Sequence, residues 1–132
     1  MKCVCIALSY SPNLLGMESV RFTIFASGSA GNAAYLETSG VRLLIDCGIS
    51  AKRIREGLLS LDRTPERLDG ILITHEHSDH ISGLRVFAAK LGIPVYCNRH
   101  TAAEIHRIHD TKFNFRIIEF SKFWFFGKTL KN

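Results

Sequence analysis

"GILITHEHSDHISG" occupies Gly70–Gly83, and its two halves follow different rules. Gly70–Thr74 is a continuous aliphatic run closed by a threonine, the pattern of a short strand buried on both faces. Beyond it, three histidines and two carboxylates fall within six positions, from His75 to His80. An extended backbone sends residues i and i+2 to the same side, so His75 and His77 can meet at one point past the strand's end. Asp79 and His80 fall where the chain turns into the next helix and can address a second point beside the first. Imidazole nitrogen with carboxylate oxygen suits zinc, manganese or iron. Two such ions, about 3.5–4 Å apart, can together activate a water for hydrolysis. A single histidine after a strand is ordinarily a polar surface group. Four ligand-type residues behind a buried strand, His75, His77, Asp79 and His80, point to metal instead.

The flanking sequence supplies a scaffold. Arg21–Ala26 alternates and is rich in β-formers, "SGSAGN" (Ser27–Asn32) is a turn, and Ala33–Thr38 reads as a second strand. After Ser39-Gly40, "VRLLIDCG" is a third strand ending at Asp46. Ser50 can cap a helix whose apolar face is Ile54, Leu58 and Leu61. A helix is expected from about Ile81 to Leu91, stopped by Gly92, with a strand at Pro94–Cys97, a helix at Thr101–His109 and a strand at Phe115–Phe120. A β-meander followed by alternating strands and helices is an α/β layered arrangement. The patterned sequence begins just after Met17, so residues 1–16 are expected to be an extension outside the fold and 17–132 the domain.

Composition narrows the function classes. The chain has 132 residues, 46% of them hydrophobic, the size of one ordinary domain with a real core. Its formal charge is +5 and its pI is about 9.2, a modest lean toward a polyanionic partner such as nucleic acid. No apolar run approaches the ~20 residues that span a bilayer, which argues against a membrane partner. Cys3, Cys5, Cys47 and Cys97 show no disulfide framework, so a reduced, cytoplasmic protein is expected. His106 and His109 read as an exposed basic helix face, and His100 matches no ligand position.

"THEHSDHISG" resembles the HxHxDH signature of the metallo-β-lactamase superfamily, and the likeness extends over about Arg21–Phe120. "SGSAGN" followed by "LLIDCGIS" is similar to the branch often called YycJ- or WalJ-like hydrolases, which are related to the nucleases of the fold. The resemblance implies the N-terminal half of an αββα sandwich with two divalent metal ions, zinc first and manganese as the alternative. It assigns His75 and His77 to the first ion, and Asp79 and His80 to the second, Asp79 also serving catalysis. Asp46 matches the strand-end aspartate that supports the metal loop from behind the ligands. Ser29 and Asn32 fall where related nucleases carry a loop at the cleft rim, so they are substrate-binding candidates; as bare sequence they are turn residues.

The family pattern adds a third histidine, a bridging aspartate and a last histidine from a second half, and nothing after His80 matches them here. The chain is therefore expected to be a truncated or frameshifted N-terminal half, inactive alone and prone to self-association through the aromatics of "FSKFWFF" (Phe120–Phe126). The expected chemistry of the lineage is phosphodiester hydrolysis in nucleic acid. The alternatives are a non-catalytic fragment needing a partner chain, or a thioester or lactone hydrolase of the same fold.

Overall fold

Short loops join the first strands and long helical crossovers join the later ones, and this dictates how they pair. In this computed structural model, which describes residues 7–10 and 19–119, seven strands form one sheet in sequence order. They are β1 (Ala7–Tyr10), β2 (Val20–Ala26), β3 (Ala33–Glu37), β4 (Arg42–Ile45), β5 (Gly70–Leu72), β6 (Val95–Cys97) and β7 (Phe115–Ile117). Pairing is antiparallel from β1 to β4 and parallel from β4 to β7. The helices are α1 (Ala51–Leu59), α2 (Ser78–Ile81), α3 (Leu84–Leu91) and α4 (Arg99–His109).

One face of the sheet carries the core. Phe25, Tyr35, Leu44, Ile71 and Val95 are buried there with Ile54 and Leu58 of α1, Leu84 and Phe87 of α3, and Ile105 of α4. Each helix thus turns a single apolar stripe to the sheet. Ser50 caps α1 by accepting from the Arg53 N–H at 3.3 Å, and Gly92 ends α3 in the left-handed conformation at φ 64°, both as the sequence implies. On the opposite face Ile24, Leu36, Leu43, Ile45, Leu72 and Tyr96 are half-buried, and none of them belongs to the core cluster.

The structure departs from the sequence reading in four places. Ala7–Tyr10, expected outside the fold, pairs with Val20–Thr23 and so satisfies backbone groups on the edge of β2. The helix expected over 81–91 is two helices. Its first turn begins at Ser78, and the break at Ser82–Gly83 arises because the loop after β4 captures the backbone: Gly83 N–H donates to the Cys47 carbonyl at 2.8 Å and Ser82 Oγ to the Gly48 carbonyl at 2.7 Å. Helix α4 starts at Arg99, because Asn98 rather than a later residue caps it, its side chain accepting from Thr101 N–H at 2.8 Å. The strand β7 closes at Ile117, short of the expected Phe120. Phe120 and the aromatics Phe123–Phe126 lie outside the described residues.

Candidate metal centre

Parallel strands that end together leave a crevice at their carboxyl ends, the usual place for a ligand in an α/β sheet. β4 leads directly into Asp46, and β5 runs out through Ile73 and Thr74 into the histidines. Asp46 is 6% exposed and adopts φ 59°, a left-handed conformation that aspartate tolerates better than most residues. Its carboxylate is surrounded by donors. Thr74 N–H reaches Oδ1 at 2.8 Å, the Thr74 hydroxyl lies 3.0 Å from Oδ1 and 2.9 Å from Oδ2, and His80 Nδ1 lies 2.7 Å from Oδ2. With Nδ1–H given to Asp46, His80 keeps a lone pair on Nε2. The ring of His75 lies 4.0 Å from that of His80 and 4.5 Å from that of His77, centroid to centroid. The three imidazoles thus lie side by side. His77 is the exposed member.

Asn32 binds the opposite side of the cluster. Its Nδ2 lies 3.1 Å from Asp79 Oδ2, 3.2 Å from His80 Nε2 and 3.0 Å from the Gly28 carbonyl, while its Oδ1 accepts from Gly28 N–H at 3.0 Å. An amide has two hydrogens for these three acceptors, so the nitrogen stands in an electron-rich cage. Backbone bonds stitch the same three segments together: Asn32 N–H to the Asp79 carbonyl at 2.7 Å, Gly48 N–H to the Asn32 carbonyl at 2.8 Å, and Cys47 N–H to the His80 carbonyl at 2.8 Å. Approach this close excludes a side chain at Gly48, where a Cβ would fall on the Asp79 carbonyl oxygen. Ser29, at the exposed tip of the same turn, remains in solvent.

A second brace runs to α4. The Thr101 hydroxyl donates to Glu76 Oε2 at 3.0 Å. The carboxyl's own backbone N–H and that hydroxyl hold Glu76 below the usual carboxylate range. Glu76 thus ties the histidine loop to α4.

The donor chemistry fits a divalent ion: three clustered imidazoles, one carboxylate, and a buried carboxylate fixing the far nitrogen of a histidine, the usual support of a metal-bound imidazole. Among the described residues, however, no group of three or more His, Cys, Asp or Glu is arranged to hold an ion. The side chains lie together without closing a coordination sphere. Cys47 and Cys97 are buried thiols; burial holds Cys47 far above the ordinary thiol value and pushes Cys97 up to about 11, which keeps them out of thiolate chemistry. His109, expected on an exposed face, is half-buried, with Nε2 enclosed and unbonded. Sequence reasoning passed over Thr74, Gly48 and Gly83. A threonine between a buried strand and the first histidine was the available signal for Thr74; the glycines carry none without the neighbouring segments in place.

Residues 26–126 match the family model of the metallo-beta-lactamase superfamily, and the chain belongs to that superfamily. It is 54% identical over 81 residues to exodeoxyribonuclease WalJ of Streptococcus pneumoniae serotype 2, an overlap covering 61% of this chain and 30% of the relative. Exodeoxyribonuclease YycJ of Bacillus anthracis is 44% identical over 82 residues, covering 62% and 31% respectively. A solved metallo-beta-lactamase of Cronobacter sakazakii superposes with a TM-score of 0.56 at 24% identity, over 67% of this chain and 35% of that one; at that identity the likeness concerns fold alone. The chain thus matches under a third of the length of these curated relatives. Among the described residues one sheet carries helices on one face, the α/β layering of the metallo-beta-lactamase fold. No helix among the described residues is long and apolar enough to cross a membrane.

Proposed function

We propose that this chain carries part of the dinuclear centre of a metal-dependent hydrolase that cleaves phosphodiesters in nucleic acid. His75 and His77 would hold one ion, and Asp79 and His80 the other, with zinc preferred and manganese as the alternative. The observation that carries the metal reading is the Asp46 network: a buried carboxylate fixes His80 through Nδ1–H and leaves Nε2 unprotonated, beside Asn32 and near two further imidazoles. The names of the two relatives support nucleic acid as substrate, and the charge of +5 agrees with a polyanion. When bound, such ions supply Lewis acidity and a nucleophile available at neutral pH. The chain's own residues orient: Asp46 and Thr74 hold two histidines, Asn32 holds the Asp79 carboxylate, and Glu76 ties the loop to α4.

Four donors shared between two ions leave two for each, whereas zinc takes three or four protein ligands. Among the described residues no group of three or more such donors is arranged to hold an ion, so the isolated chain should hold metal weakly and show little turnover. The test supplies the remaining length of a WalJ-like relative, in cis or in trans, and assays DNA, RNA, a bis-aryl phosphodiester, a thioester and a lactone with added zinc or manganese. Metal-dependent phosphodiester cleavage that His77→Ala or Asp79→Asn largely removes is the expected result. Turnover confined to the thioester or lactone overturns the nuclease reading. No retained metal and no turnover on any substrate would mark a non-catalytic fragment.

A further inference from the structure

Proton counting around Asp46 leaves the Thr74 hydroxyl a single role. The carboxylate only accepts hydrogen bonds, and a hydroxyl owns one hydrogen. Thr74 Oγ1 lies 3.0 Å from Asp46 Oδ1 and 2.9 Å from Oδ2, a separation between oxygens that is repulsive unless a hydrogen lies between them. Only the hydroxyl can provide it. With that hydrogen committed, Oγ1 can meet His75 Nδ1, 3.0 Å away, solely as an acceptor. His75 then carries its proton on Nδ1 and leaves Nε2 bare. The longer approach of Oγ1 to His80 Nδ1, at 3.4 Å, changes nothing, since that nitrogen already donates to Asp46 at 2.7 Å. Asn32 Nδ2, placed 3.2 Å from His80 Nε2, agrees with Nε2 being the unprotonated atom there.

We propose that Thr74 is a positioning residue of the centre: its hydroxyl passes the influence of Asp46 to His75 and sets that histidine in the Nδ1–H form. Asp46 thereby governs two imidazoles, His80 directly and His75 through Thr74. A free neutral imidazole favours the proton on Nε2, so removing the hydroxyl lets His75 place its proton on the nitrogen that has to be bare to accept an ion. The consequence for metal affinity rests on the hydrolase reading above; the tautomer itself does not.

The experiment uses the full chain with 15N-labelled histidine, free of metal, at about pH 8. Two-bond 1H–15N correlations report which nitrogen of His75 is protonated. Wild type and Thr74→Ser should show Nδ1–H, and Thr74→Val should shift His75 toward Nε2–H. Thr74 is exposed, so the valine side chain displaces no core group. Should that variant nonetheless fail to fold, the wild-type spectrum decides alone, because Nε2–H at His75 overturns the proposal. An unchanged tautomer in folded Thr74→Val overturns it equally. Zinc titration of the same samples, against a chromophoric chelator, should show about 10-fold weaker binding for Thr74→Val and recovery in Thr74→Ser. If wild type binds no zinc while the tautomers follow the expected pattern, the hydrolase reading fails and the role of Thr74 stands.

Discussion

Asn32 shows how one side chain can look like a rim residue and be built as a brace. The family resemblance suggested contact with substrate, and the Asn32 amide is directed at Asp79 and at the turn it belongs to. Asn32→Ala should therefore lower zinc affinity about 10-fold, the usual effect of losing a group behind a ligand, and reduce kcat of the completed enzyme while leaving KM for DNA close to wild type. A rise in KM with unchanged metal affinity would return Asn32 to the substrate. Gly48 makes the complementary case, since space rather than bonding selects it. Gly48→Ala forces the β4 loop away from the Asp79 carbonyl and should cost about 1–3 kcal/mol in urea unfolding, the usual range for overpacking. A variant as stable as wild type would show that the two loops separate freely.

At the scale of elements, the crossover from β5 to β6 is where local preference and tertiary contact disagree. The apolar spacing of residues 81–91 suits one continuous helix, and the bonds from the Ser82 hydroxyl and the Gly83 backbone N–H to the β4 loop divide it. Helix α4 also carries His109. Burial, with the charge of Arg85 second, lowers the pKa of His109 below its ordinary value. The folded chain then binds fewer protons there than the unfolded chain, so stability rises with pH across that interval. His109 should cost nothing above about pH 6.5, and stability should fall as pH drops from there through the depressed folded value. Urea titrations of wild type and His109→Phe at stepped pH check this. The variant, packed against Phe113 near the present ring contact, should lose that part of the slope; identical slopes would remove His109 as its source.

For the whole molecule, the decisive feature is a sheet with two apolar faces and described helices packed in the core of one. Ile24, Leu36, Leu43, Ile45, Leu72 and Tyr96 form a contiguous surface, and apolar patches of this kind mark sites of association. The isolated chain should bind an apolar dye and sediment as a concentration-dependent mixture. Leu43→Lys, on that face opposite Leu36, should reduce both effects with a stability change within about 0.5 kcal/mol, as for other surface substitutions. A monomer that binds no dye at any concentration would show that the face is already covered.

Two periodicities and one dense motif made most of this protein legible from its sequence. Alternation in β2 to β4, the unbroken aliphatic run of β5 and the helical spacing of α1 and α3 are local patterns, because burial on one face or both dictates them residue by residue. The crowding of His75, His77, Asp79 and His80 is local as well, and the expectation that they lie together needed only the geometry of a strand end. What the tertiary structure alone decided are the contacts between segments distant in sequence. The pairing of Ala7–Tyr10 with β2, the division of the helix after His80, the turn of Asn32 toward Asp79 and the link from Asp46 through Thr74 to His75 each join such segments. Hydrogen-bond partners and backbone clearances of that kind have no period in the sequence; they exist only once β3, β4 and β5 are laid side by side and their ends converge.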